Sequence, residues 1–248
     1  MRDVSICPAV SKLVLICTSN ASMMTKGFIA CLMAASICAC AKVELETLKY
    51  ANGEKKAQGQ LRDGQRHGLW TAWYKNGQKR SEGRYDKGER NGPWSYWHRN
   101  GQKRTQGTLN QGNKTGLWIS WRANGKKKQE GKYSDGKAKG THTFWYANGL
   151  RWKAESYLGC ALHGPQSLWF KNGQLQAQGH YDNGRKQGRW RMWYKDGTQR
   201  NEINFVAGVI QPGAHYWNAQ GKTIEADASP RAHTSKKTLP CADSKQDQ

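Results

Sequence analysis

The residues of this chain that recur in a fixed pattern are tryptophans and cations. Trp70, Trp94, Trp118 and Trp190 fall in one series, and Lys79 with Arg80 and Lys103 with Arg104 fall in another. Indole rings offer flat apolar surface and one N–H donor, while lysine and arginine offer positive charge and several donors. Such a set stacks on partners and holds anionic groups. Side chains that make and break bonds are dispersed: His67, His98, His142, His163, His180, His215 and His233 are scattered, and no His-x-x-x-His or Cys-x-x-Cys pair occurs beyond residue 40. There is no nucleophile elbow and no phosphate loop. The expectation is a binding protein that is not an enzyme and carries no metal and no cofactor.

Charge narrows the partner class. The chain holds 40 lysines and arginines against 18 aspartates and glutamates, a formal net charge of +22. Lys79-Arg80, Lys103-Arg104 and Lys126-Lys127-Lys128 follow one set of turns, and Arg66, Arg90, Lys114, Lys139 and Lys186 lie in the opposite set. Stacked by repetition, they form basic stripes that attract anionic partners over about 8 to 10 Å in salt. Lysine on a sheet edge also blocks edge-to-edge pairing, so part of this charge protects solubility.

A 24-residue period places these residues. Its marker is the Asn-Gly pair at residues 52, 76, 100, 124, 148 and 172, continued by Asp196-Gly197 and Gln220-Gly221. A fixed period of this size signals an array of one supersecondary unit. Asn-Gly between short aromatic segments predicts a hairpin with a type I′ turn, hence two antiparallel strands of about five or six residues per repeat. The chain is therefore expected to be an all-β, elongated antiparallel hairpin array in a single twisted sheet of about 14 to 16 strands, with a small β-propeller as the alternative. A second tryptophan series, Trp73, Trp97, Trp121, Trp145, Trp169, Trp193 and Trp217, is unbroken, whereas the Trp94 series gives way to His142 and Gln166. On that ground the Trp73 register is assigned to the core. Trp70, Trp94, Trp118 and Trp190, with Lys79, Arg80, Lys103 and Arg104, are assigned to a partly open binding face. Gly83, in line with Tyr85, reads as a place where a ring or backbone approaches closely.

The unit, as in Glu82-Gly83-Arg84-Tyr85-Asp86-Lys87-Gly88-Glu89-Arg90-Asn91-Gly92-Pro93-Trp94, resembles the MORN (membrane occupation and recognition nexus) repeat, in the bacterial variant associated with an antitoxin family. The resemblance covers residues 48 to 221, about seven repeats, and implies a binding surface without shared chemistry. Repeat five departs from it. Ala154-Glu155 replaces Glu-Gly and Cys160 replaces the turn glycine, which predicts an irregular sheet near residue 155.

The remaining segments concern location. Lys26 precedes an apolar run from Gly27 to Ala39, the pattern of a secretory signal. Ile37-Cys38-Ala39-Cys40 resembles a bacterial lipobox, which makes Cys40 the lipid anchor and residues 1 to 40 the signal region; cleavage near Ala39 or Ala41 without a lipid is the alternative. A start at Met23 or Met24 leaves residues 1 to 22 as an upstream extension. Residues 222 to 248 read as a disordered tail. Cys160 and Cys241 could pair in an oxidising compartment, but their spacing does not decide it. Together these features predict an exported envelope lipoprotein on the periplasmic side or outer membrane. Its expected partner is a protein such as a toxin, as for an antitoxin or immunity protein, or an anionic lipid or lipopolysaccharide of the envelope. Nucleic acid is not expected, because the chain is exported.

Overall fold

The computed structural model describes residues 42–225. The signal region with Cys40, the tail from residue 226 onward and Cys241 lie outside the described residues. Every regular element among the described residues is a strand. β1 is Val43–Lys49, β2 Lys55–Arg62, β3 Gln65–Trp73, β4 Lys79–Asp86 and β5 Glu89–Trp97. Next come β6 Lys103–Asn110, β7 Asn113–Trp121, β8 Lys127–Ser134, β9 Lys137–Trp145 and β10 Arg151–Leu158. β11 Ala161–Trp169, β12 Leu175–Asp182, β13 Arg185–Trp193 and β14 Gln199–Val206 complete the regular array. The short strands β15 Val209–Ile210, β16 His215–Trp217 and β17 Thr223–Ile224 follow it.

From β1 to β14 each strand pairs antiparallel with the next. β14 then pairs with both β15 and β16, and β16 with β17. The result is one open meander. Among the described strands β1 has β2 as its only partner, so the sheet does not close and the propeller alternative is excluded. Fourteen strands at about 4.8 Å spacing give a ribbon of roughly 60 Å. The strands are longer than expected because both hairpin types carry bulges, which keep extra residues inside the ladder.

The two turns differ from the sequence expectation. At Asn76-Gly77 only the glycine has positive φ, and Tyr74 C=O accepts from Gly77 N–H at 3.0 Å while Tyr74 N–H donates to Gln78 C=O at 2.8 Å. This is a three-residue loop, a type I turn followed by a left-handed glycine. The type I′ turns lie at the opposite edge, at pairs such as Asp63-Gly64 and Lys87-Gly88, where both residues have positive φ. Asparagine has a different task in the long loop. Its Oδ1 accepts the backbone N–H two residues on, and its Nδ2 reaches the neighbouring repeat: Asn76 to Arg99 C=O at 2.9 Å, Asn100 to Ala123 C=O at 2.7 Å. Tyr50, Tyr74, Tyr146 and Tyr194 add hydroxyl bonds to the carbonyls of Trp73, Trp97, Trp169 and Trp217. The loop edge is thus sewn from each repeat to the next.

A single-layer sheet has no second layer to bury its rings, so this one buries them on its own glycines. A Cβ built on Gly59, Gly83, Gly107 or Gly179 would lie 2.3, 2.2, 2.2 or 2.1 Å from the indole of Trp70, Trp94, Trp118 or Trp190. Each ring lies across the cross-strand glycine, and its Nε1–H donates to the next carbonyl, as Trp94 does to Arg84 at 3.1 Å and Trp118 to Thr108 at 3.0 Å. The bulge at Gly68-Leu69 and its equivalents bring ring and glycine opposite each other. The close approach expected at Gly83 is therefore the Trp94 ring. A buried indole covers about 150 to 250 Å², a gross transfer term of roughly 4 to 6 kcal/mol.

This reverses the assignment of faces. Trp70, Trp94, Trp118 and Trp190 are buried and form the core, while Trp73, Trp97, Trp121 and their equivalents are half-exposed. The changes to His142 and Gln166 are changes inside the core, since both are buried. The sheet also stays paired through repeat five, with β10 bonded on both sides. The turn there adapts: Gly159 takes positive φ at the first central position and Cys160 does not, which converts type I′ to type II′. Paired strand begins at Val43 and continues to Ile224, beyond the 48 to 221 span at both ends.

Gly107→Ala should lower stability by about 1 to 3 kcal/mol through overpacking against Trp118. In a Trp118→Gln background the cost should shrink, because the ring is gone. Urea unfolding of the single and double variants measures the coupling, and additive costs would refute the ring-on-glycine account. Deleting residues 77 to 100, one full period, should leave a cooperative β fold, since repeats contact mainly their neighbours. Deleting residues 77 to 88 should not, because it fuses strands out of register. Circular dichroism and limited proteolysis compare the two.

Candidate functional site

On the core face the rings form a row, interrupted at Leu109 and Gln166. Tyr85 meets Trp70 and Trp94 edge-on, with centroids 6.0 and 5.2 Å away, and Tyr181 meets Trp190 at 5.1 Å. Cations lie over this row: Arg66 at 4.4 Å from Trp70, Arg90 at 5.0 Å from Trp94, Lys114 at 5.0 Å from Trp118 and Lys186 at 4.5 Å from Trp190. Burial lowers the Lys186 proton affinity. A ring face attracts a cation by its quadrupole, by about 0.5 to 2 kcal/mol depending on desolvation. The cationic column belongs to the architecture and still presents charge. Its member in repeat four is Ala138; Lys139, expected in this column, falls one residue out of register.

A second column, Arg80, Arg104 and Lys128, consists of the extra residue in the bulge after each long loop. Arg104 stands 5.7 Å over Tyr96, which itself stacks on Trp94, so this column belongs to the core face. Between the two columns runs a groove of about 500 Å³, walled by Arg90, Arg104, Lys114, Arg122 and Lys128 and containing no carboxylate among its lining residues. Arg122 donates to Trp145 C=O at 2.7 Å, and its buried Nε–H has no acceptor among the described residues.

The predicted site residues therefore separate. Arg104 lines the groove and Arg80 occupies the same column. Lys79 and Lys103 belong to the back face, 5.7 Å over Trp97 and 5.9 Å over Trp121, with their ammonium groups on Glu82 at 2.6 Å and Gln106 at 2.7 Å. Trp70, Trp94, Trp118 and Trp190 form the floor and offer no open indole surface. Sequence reasoning placed Arg90, Lys114 and Lys128 in basic stripes but not on the binding face, and it missed Arg122 altogether. The signal for Lys128 was its 24-residue offset from Arg104; Arg122 has no periodic signal, because its register holds Tyr74, His98 and Tyr146.

Three segments of the chain match the MORN repeat variant. They are residues 66–87, 114–135 and 162–183, set two 24-residue periods apart, so the interleaved repeats share their register. MORN repeats are generally involved in binding. No curated protein matches the chain.

Repeat five carries a paired change in the repeated pattern. Glu155 takes the glycine position and Gln166 the tryptophan position. Gln166 Nε2 donates to Glu155 Oε2 at 2.9 Å, while Lys153 Nζ and Tyr157 O–H share Glu155 Oε1 at 2.5 Å each. His142 beside it is pushed toward the neutral form by burial, and its Nε2 donates to Lys132 C=O at 2.9 Å. The carboxylate is buried but answered on both oxygens. It completes the core where a ring has been lost.

Burial raises the phenols of Tyr133, Tyr157 and Tyr181 above their ordinary range, and the hydrogen bond to Glu155 raises Tyr157 further. In the unfolded chain these groups ionise near pH 10. The native state keeps its protons there while the unfolded state loses them, so their contribution to stability is complete below about pH 10 and declines as pH rises beyond it. Spectrophotometric titration should find these phenols resistant until the chain unfolds. Ionisation of all tyrosines in one step near pH 10, with structure intact, would contradict this.

Proposed function

We propose that this chain is an exported, lipid-anchored bacterial repeat protein that binds another macromolecule through the groove on its core face, in an antitoxin or immunity role toward a protein toxin. One observation carries the reading: the groove gathers five cations and no carboxylate, on a rigid row of rings repeated along the ribbon. Long anionic surfaces would meet several equivalent sites and gain avidity. The apolar run before Cys40 supports export and anchoring, and dual or triple acylation gives the stable attachment that one chain does not. The recurrence of the polar residues in every repeat supports a scaffold with no catalytic centre. A second reading, an envelope-organising protein on anionic lipid or lipopolysaccharide, draws support from the cationic columns, whose members recur at intervals of about 10 Å from Arg66 to Lys128.

The test begins with affinity purification from detergent-solubilised envelopes at moderate salt. Retention of a protein supports the first reading, and salt-sensitive liposome binding without one supports the second. Cys40→Ser should release the protein from membranes and abolish palmitate labelling; persistence of both refutes the anchor. Arg104→Glu with Lys128→Glu should slow association with the recovered partner about tenfold and flatten its salt dependence. The same reversal at Lys79 and Lys103, on the back face, should change it little. Equal effects of the two pairs would place binding elsewhere.

A further inference from the structure

The core-face groove changes character along its length. Three repeats beyond the basic cavity lies its equivalent, about 580 Å³, about six strands or roughly 29 Å away along the ribbon. Lys186 and Arg200 stand there where Lys114 and Lys128 stood, but Tyr96, His98, Arg104 and Arg122 are replaced by Leu168, Phe170, Gln176 and Tyr194. Between the cavities both cationic columns fail together. The overlying column becomes Ala138 and then Leu162, and the Arg80 column becomes Trp152. Trp152 is 42% exposed, and it gathers Phe144 at 6.1 Å and Tyr146 at 6.2 Å into an aromatic patch on the surface. Lys153 lies against this patch, but its charge is answered by Glu155 at 2.5 Å.

Resting on the reading that this face binds a macromolecule, we infer that its occupant is a polypeptide segment with acidic ends and an apolar centre. The groove runs basic, then aromatic, then basic again, and the ligand must follow that order. Nucleic acid carries charge at every step, so its phosphates would pass the Trp152 patch with no column cation to meet them. An anionic lipid has one charged end and cannot satisfy cations on both sides of an apolar stretch. A polypeptide can place carboxylates about 29 Å apart, roughly nine residues extended or nineteen helical, with aliphatic or aromatic side chains between. The exposed rings give the centre a contact of the kind that dominates binding energy, while the flanking cations set orientation and association rate.

The probe is a synthetic peptide of roughly sixteen residues, long enough to span the two cavities when extended. It has glutamates at each end around a centre of alternating leucine and serine. A second peptide has the same composition with glutamates and leucines interspersed. Binding to the full chain is followed by fluorescence anisotropy at two salt concentrations, beside anionic phosphatidylglycerol vesicles and an oligothymidylate. The ordered peptide should bind at least about tenfold tighter than the permuted one, a difference of about 1.4 kcal/mol. Trp152→Ala, at an exposed position that leaves the ring floor intact, should erase most of that preference without lowering affinity for the permuted peptide. Arg104→Glu with Lys128→Glu should weaken both peptides. Equal affinity for the two peptides, or an unchanged preference in Trp152→Ala, overturns the inference; sensitivity to the charge reversal would still leave the basic groove as the binding site. Vesicle or oligonucleotide binding that displaces the ordered peptide, or that occurs when neither peptide binds, also overturns it and assigns the groove to lipid or nucleic acid.

Discussion

The packing of an indole ring on a glycine across one strand pair is the constraint from which the rest of this structure follows. An open sheet one layer thick leaves each side chain with solvent above it, and ordinary aliphatic packing would have to find a second layer. Here the volume for burial comes from the sheet itself, because the missing Cβ lets Trp94 lie on Gly83 and Trp118 on Gly107. The buried ring fixes the face of everything near it. Tyr85 fits edge-on between successive indoles, and arginine or lysine covers the row. The basic groove is a consequence of how the core is covered.

The back face holds the other tryptophan series under different rules. Its rings are half-exposed, shaded by lysines held in place by Glu82 and Glu130. Surface ion pairs of this kind contribute little stability. The difference between the faces lies in desolvation, and it explains why the broken aromatic series, and not the unbroken one, carries the fold.

Period and sheet type were legible in the sequence because they depend on spacing alone, and the expected 14 to 16 strands fall just short of the 17 described. Asn-Gly at every twenty-fourth residue called for an array of hairpins and left only the choice between an open ribbon and a small propeller, although the loop it makes is the three-residue kind. The face assignment was not legible, because an unbroken series need not be a buried one. The Trp94 series breaks for a reason that needs three dimensions. When Trp gives way to Gln166 the opposing glycine becomes Glu155, and a hydrogen-bonded pair fills the same space. Read together, Gly with Trp and Glu with Gln are alternative ways to fill one position. Residue by residue along the chain, they look like decay. The groove was half visible: Arg104 and Arg80 follow the period, but the bulge that turns them from their neighbours Lys103 and Lys79 appears only in the pairing register.

The turn at Gly159-Cys160 has a use beyond its own repeat. By moving the glycine one place forward, the chain keeps a tight hairpin and frees the second tip position for a side chain of ordinary backbone preference. Cys160 occupies that position and is disulfide-bonded there. The same transposition at any other short tip would create an attachment point projecting from the rim without touching the ring row. Since tips follow one another at intervals of about 10 Å, set by two strand spacings, the rim is a graduated scale on which tethers, labels or a second protein could be mounted at chosen distances along the ribbon.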